Sequence, residues 1–119
     1  MANPVVWFEV LGKNTNGLRS FYTQLFDWKL ERDKLMDYSM VAADEGRGIP
    51  GGVGLHREPN QPKVTFYVST PDISASLKQA ETLGGQTLMP RTKLPGGTVL
   101  GMFADPEGNA IGLVEEEAA

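Results

Sequence analysis

Shifted by 58 positions, this chain of 119 residues falls on itself. The shift lays Val6 on Val64, Phe8 on Phe66, Val10 on Val68, Leu25 on Leu83, Leu30 on Leu88, Val41 on Val99, Gly54 on Gly112 and Leu55 on Leu113. Most of these matches are apolar, the pattern left when a core face repeats while the surface drifts. A repeat of this length demands two copies of one supersecondary unit, and the order of elements agrees. Val5 to Leu11 alternates as a strand, with Val6, Phe8 and Val10 on one face and Trp7 and Glu9 on the other. A helix follows, capped by Asn14 or Thr15, with Leu18, Phe21, Tyr22, Leu25 and Phe26 as its apolar stripe. Trp28 to Asp33, Tyr38 to Ala43 and Gly52 to His56 read as three short strands. The proline-bearing stretch 57–63 reads as a linker.

Beyond the linker the order starts again. Val64 to Thr70 is a strand, and Asp72 caps a helix with Ile73, Leu77, Ala80 and Leu83 on its apolar face. Gly84-Gly85 stops that helix in the left-handed conformation. Gln86 to Met89, Thr98 to Ala104 and Asn109 to Glu115 supply three more strands.

Composition narrows the classes of function. With 40% hydrophobic and 22% charged residues the chain is of ordinary globular type. Eleven basic against fifteen acidic residues give a net charge of -4 with no basic cluster, which disfavours a nucleic-acid partner. The run Glu115-Glu116-Glu117 reads as a solvated terminus. No apolar run is long enough for a membrane span, and Met1-Ala2-Asn3-Pro4 carries no leader pattern. The expectation is a cytoplasmic chain with no membrane partner. Without cysteine there is neither disulfide nor thiolate ligand, and a lone histidine, His56, cannot make a two-histidine zinc motif. Gly46 to Gly51 matches the G-x-G-x-x-G pattern of dinucleotide loops, but the alternation at Val53 and Leu55 predicts a strand after it. A phosphate cradle needs a helix there.

Two β-α-β-β-β units, with Phe21-Tyr22 on the first helix and Asp105-Pro106-Glu107-Gly108 before the last strand, resemble the glyoxalase, bleomycin-resistance and extradiol-dioxygenase superfamily, the vicinal-oxygen-chelate fold. FADPEGNAIGLVE, from Phe103 to Glu115, carries the most specific part of the likeness. The resemblance implies an α+β fold in which two tandem units form a curved mixed sheet with helices on the convex side and a ligand or divalent metal on the concave side. A single glyoxalase-like domain then spans 1–119, with unit one at 5–56, the linker at 57–63 and unit two at 64–115. It also implies a homodimer, since open sheets of this kind commonly pair. In that frame strand parity sends Trp7, Glu9, Thr65 and Tyr67 into the cleft with Gly52, Gly54, His56, Ala110, Gly112 and Val114. Glycines at 54 and 112 are expected to leave open volume there.

Metal-dependent members of the superfamily hold the ion with one residue from the first and one from the last strand of each unit, usually His and Glu. Carried over by spacing, those positions fall on Trp7, Gly54, Thr65 and Gly112, and none is a usual ligand. No metal and no cofactor are therefore expected. Glu9 and His56, two residues further along the same faces, would supply at most two displaced donors. Each candidate admits a plainer role. Trp7 is a stacking platform or a core aromatic. Glu9 is a ligand anchor, a general base or a rim carboxylate, and His56 is an acid-base group or a strand-end surface residue.

The expected ligand-binding set is Trp7, Glu9, Gly54, His56, Thr65, Tyr67 and Gly112, with Trp7 and Tyr67 flanking a planar ligand. This describes a small-molecule binding or sequestering protein for an aromatic or apolar ligand. The alternative is a metal-dependent or acid-base lyase, isomerase or dioxygenase of the same superfamily, working through Glu9, His56 or Tyr67. A scaffold with a vestigial cleft is the third class.

Overall fold

Asn14 and Asp72 begin the two helices as their side chains dictate. In a computed structural model that describes residues 2–33, 36–44 and 46–116, Asn14 Oδ1 accepts the Gly17 N–H at 2.9 Å and Asp72 Oδ1 accepts the Ala75 N–H at 3.0 Å. The described residues form ten elements. They are β1 (Val5–Gly12), α1 (Thr15–Phe26), β2 (Leu30–Arg32), β3 (Tyr38–Val41), β4 (Gly51–Leu55), β5 (Val64–Thr70), α2 (Ile73–Thr82), β6 (Gln86–Lys93), β7 (Val99–Ala104) and β8 (Ala110–Glu115). The chain is α+β, with two helices and eight strands among these residues, and it divides into two compact units, residues 7–65 and residues 1–6 with 66–119. Glu117 lies outside the described residues.

In the first unit the strands run β2-β3-β4-β1, with β1 and β4 parallel and the other neighbours antiparallel. Parallel pairing of β1 with β4 requires a long crossover, which α1 and the β2-β3 hairpin supply. Phe8 lies 5.2 Å, ring to ring, from Trp28, which stacks at 5.1 Å on Tyr22 of α1. This aromatic column joins sheet to helix. The rest of the expected helical stripe stays outside: Phe21 and Leu25 are 57% exposed and Phe26 54%. Leu18, which lies against Gly12 of β1, and Tyr22, stacked on Trp28, are the half-buried positions of that stripe.

In the second unit the order is β5-β8-β7-β6, again with one parallel pair, β5 with β8. Ile73, Leu77 and Leu113 form its core, with Val68, Val99 and Phe103 against them. Val64, expected on the helix side with Phe66 and Val68, is largely exposed. The end of α2 is a Schellman turn. Gly84 takes φ +102°, and the Gly85 and Gly84 N–H groups reach the Ala80 and Glu81 carbonyls at 2.8 and 3.2 Å. The strand expected to stop at Met89 continues to Lys93 through Pro90, which an edge strand with two register shifts tolerates. Across this unit Arg91 grips Glu115 with Nε and Nη2 at 2.9 and 2.7 Å, while Glu115 Oε2 accepts the Ile73 N–H at 3.1 Å. A carboxylate from β8 thus closes the start of α2.

The two units share a design but not one constant offset. Val10 pairs with Val53, and its counterpart Val68 pairs with Leu113, so β4 and β8 are related by 60 positions (Val53 to Leu113), not 58. Ser39 opposes Val53 where Gly101 opposes Leu113, which makes the shift 62 (Ser39 to Gly101) between β3 and β7. The matches of Gly54 with Gly112, Leu55 with Leu113 and Val41 with Val99 are therefore not structural equivalences. In structural register, Gly52 corresponds to Gly112 and Met40 to Met102.

Candidate functional site

In residues 7–65, β1, β3 and β4 turn one face toward α1 and place Trp7, Glu9, Tyr38, Gly52 and Gly54 on the other. Register fixes their neighbours, since Glu9 and Met40 flank Gly52 and Tyr38 opposes Gly54. The side chains form a relay. The Trp7 indole N–H donates to Tyr38 Oη at 2.9 Å, and the Tyr38 hydroxyl donates to Glu9 Oε2 at 2.9 Å. Glu9 is 9% exposed, and a carboxylate so far from water needs hydrogen bonds of this charge-assisted kind. Each donor in the chain polarises the next, so the indole strengthens the phenol's hold on the carboxylate.

The two glycines make the relay possible. A Cβ on Gly52 would stand 1.9 Å from Tyr38 Oη, and one on Gly54 would stand 2.4 Å from Tyr38 Cδ1. The volume expected to be open above Gly54 is therefore filled by the Tyr38 ring. In the second unit Gly112 is covered in the same way, its Cβ position lying 2.3 Å from Tyr67 Cδ2. The cover comes from a different direction, from β3 in one unit and from β5 in the other. Tyr38 itself is fastened from below: the preceding Asp37 accepts Thr15 Oγ1–H at 2.9 Å and Arg19 at 3.4 Å, and its carbonyl accepts the Leu55 N–H. The hairpin that carries Tyr38 is thus tied to the first turn of α1.

Of the expected site residues, the structure brings together Trp7, Glu9 and Gly54 through Tyr38. Thr65 and Tyr67 are buried, Tyr67 beside Gly112 of the adjacent strand. His56 turns to the following loop, where Nε2–H donates to the Gln61 carbonyl at 2.7 Å. In the sequence Tyr38 reads only as the first residue of a strand. The signal that points to it is Gly52-x-Gly54, two bare positions on one face of a strand, which invite an aromatic ring from a neighbour.

The residues present do not fit a divalent ion at the inferred positions. Trp7 spends its only polar atom donating to Tyr38, Gly54 and Gly112 have no side chain, and Thr65 offers a neutral hydroxyl. Correcting the register substitutes Gly52 with Gly112, or Gly54 with Val114, and supplies no donor either. Among the described residues no three His, Cys, Asp or Glu side chains converge as a metal site. The Gly46 to Gly51 loop leads into β4 and not into a helix. Before β8, the Asp105 carboxylate accepts the Glu107 and Asn109 backbone N–H groups and the Asn109 side chain, all at 2.9 Å. The Asn109 side chain first, and its backbone N–H next, hold the Asp105 carboxyl below its ordinary range. That motif is turn chemistry. No helix among the described residues is long and apolar enough to cross a membrane.

The family model for the glyoxalase-like domain matches residues 10–114. No curated protein matches the chain in sequence. In fold it is similar to a glyoxalase/bleomycin resistance protein/dioxygenase superfamily member from Vibrio splendidus 12B01, with 13% identity over 97% of this chain and 100% of that one and a TM-score of 0.68. It is likewise similar to methylmalonyl-CoA epimerase from Mycobacterium tuberculosis, with 12% identity, 99% and 93% coverage and a TM-score of 0.66. A methylmalonyl-CoA epimerase in complex with methylmalonyl-CoA and NH4+ gives 14% identity, 99% and 97% coverage and a TM-score of 0.63. With a family model spanning nearly all of it and both β-α-β-β-β units in place, the chain belongs to the glyoxalase-like domain family.

Proposed function

We propose that this protein binds an aromatic or apolar small molecule on the sheet face that carries Trp7, Tyr38 and Glu9, without a metal ion. The observation that carries the proposal is the relay from Trp7 through Tyr38 to the buried Glu9 carboxylate. It locks an indole plane and an acceptor group side by side, the pairing that orients a planar ligand bearing a hydrogen-bond donor or a cationic group. That a protein of the same fold is a complex with methylmalonyl-CoA supports the scaffold as a host for organic ligands. The test is a panel of planar aromatic compounds, neutral and cationic, titrated against Trp7 fluorescence in a Trp28→Phe background. Binding that quenches Trp7 and weakens about tenfold or more in Trp7→Ala, about 1.4 kcal/mol, supports the proposal. A panel that leaves Trp7 emission unchanged counts against it.

The Tyr38 hydroxyl on Glu9 favours one second reading, acid-base catalysis by that carboxylate. Glu9→Gln would then abolish turnover of a bound compound while leaving its affinity within a fewfold.

A further inference from the structure

The two helices start in register, since their caps Asn14 and Asp72 lie 58 positions apart. Leu18, Phe21 and Tyr22 of α1 therefore correspond to Ser76, Gln79 and Ala80 of α2. They end one residue out of step. Asp27 after α1 and Gly84 after α2 both take the left-handed conformation, at φ 58° and 102°, and Leu30 opposes Val41 where Thr87 opposes Phe103. Both comparisons put Gly85 where the first unit has Trp28. The sheet floor is apolar in either unit, because Val10, Val53 and Val41 correspond to Val68, Leu113 and Phe103. Between helix and sheet the first unit holds the Trp28 indole stacked on the Tyr22 phenol, with centroids 5.1 Å apart and planes 18° from parallel. The second unit has neither ring. A groove of about 480 Å³ opens there, with Val68, Phe103 and Leu113 as its floor, Ala80 and Leu83 on its wall and Gly85 on its border.

The chain cannot refill the place of the indole from the same backbone position, because a Cβ on Gly85 would stand 2.6 Å from the Ala104 carbonyl oxygen. Nor has the lining turned polar to suit water. Val68 and Phe103 stay half-buried and Leu83 is 70% exposed, the apolar lining by which small-molecule sites are built. Two wall positions did change character: Ser76 and Gln79, which also line the groove, replace Leu18 and Phe21 of α1. The Ser76 hydroxyl is held by a hydrogen bond with Thr70 Oγ1 at 2.7 Å. An otherwise apolar slot thus gains one hydroxyl and one amide along its helix wall, and a few placed polar groups of this kind fix a ligand's orientation.

We infer that the groove beside α2 binds a planar aromatic small molecule of bicyclic size with one hydrogen-bonding substituent. Its rings take the place that Trp28 and Tyr22 hold in the first unit, and its polar group turns to Ser76 and Gln79. None of Trp7, Tyr38 and Glu9 lines this groove, so the inference and the function proposed for the Trp7 face fail separately.

The probe is 2-naphthol, two fused rings with a single hydroxyl, titrated into the purified chain while the methyl resonances of Val68, Ala80, Leu83 and Leu113 are followed by NMR. These methyls report the groove and not the Trp7 face. They are expected to shift and saturate. Ala80→Tyr restores the residue that α1 has and fills the slot, and Leu83→Glu changes a wall residue that already faces water, so that the second variant keeps its fold whatever the first does. Circular dichroism checks both. Each is expected to weaken 2-naphthol about tenfold or more, and decahydro-2-naphthol, the saturated analogue, to bind the wild type severalfold more weakly because it loses the ring-on-ring contact with Phe103. Groove methyls left unmoved by millimolar 2-naphthol overturn the inference, and so does binding that neither substitution weakens. Equal affinity for the saturated analogue overturns the aromatic class. Groove methyls that move with protein concentration before any probe is added would mean that a second copy fills the groove, which overturns it too.

Discussion

The hydroxyl of Tyr38 occupies the space into which a side chain at Gly52 would grow, with 1.9 Å between Oη and the position of a Cβ. Position 52 must therefore stay bare for Tyr38 to reach both Trp7 and Glu9. Gly52→Ala is expected to push the ring aside and lower stability by about 1–3 kcal/mol, the usual cost of overpacking. Urea denaturation measures this. Trp7 emission should shift as well, since its N–H loses the phenol as acceptor.

Tyr38→Phe keeps the ring over Gly52 and Gly54 and removes only the hydroxyl between Trp7 and Glu9. Hydrogen bonds to charged, buried groups are worth about 1.5–3 kcal/mol, and a loss of this order is expected by denaturant unfolding. The ligand affinity assigned to the Trp7 face should fall with it. A variant as stable as the wild type would mean that the relay contributes nothing to the fold.

Acid should loosen the second unit through Glu115. Hydrogen bonds from Arg91 first, and from the Ile73 N–H second, hold its carboxyl down at about 2, against an ordinary value of 4.5. The unfolded chain then takes up that proton at higher pH than the folded one does. The stabilisation is present above about pH 4.5 and is lost as pH falls toward 2. Thermal unfolding followed between neutral pH and pH 2 should show a steeper acid decline in the wild type than in Glu115→Gln. Equal slopes would assign the decline to other carboxylates.

Chelation should leave the protein unchanged. Since Trp7, Gly54, Thr65 and Gly112 lack the donors for a divalent ion, dialysis against EDTA is expected to leave both Tm and ligand affinity where they were. Elemental analysis returning one zinc, nickel, iron or manganese per chain would refute this.

What the amino-acid sequence determined by itself was local or periodic. Asn14 and Asp72 cap their helices, Gly84 ends α2 and Asp105 builds its turn because each acts on backbone groups within a few residues. The alternation along β1 separates Phe8 from Trp7 and Glu9 correctly because it depends only on the pleat. The repeat is legible for the same reason, being a property of strings of residues. Only the tertiary structure decided who faces whom. Between the units the offset is 58 positions for β1 and β5, 60 for β4 and β8 and 62 for β3 and β7, so these three strand pairs differ by slips of two. A slip of two preserves every side chain's face but changes its partner, so Gly112 was assigned to the right face and matched to the wrong glycine. That Tyr38 fills the space over Gly52 and Gly54 depends on how the β2-β3 hairpin lies against β4, and that Glu115 on β8 meets Arg91 on β6 depends on β7 setting those two strands on either side of it. No periodicity encodes such long-range placements. The exposure of Phe21, Leu25 and Phe26 belongs with them: an apolar stripe specifies that a surface seeks cover, while the tertiary packing around it decides how much cover the chain itself provides.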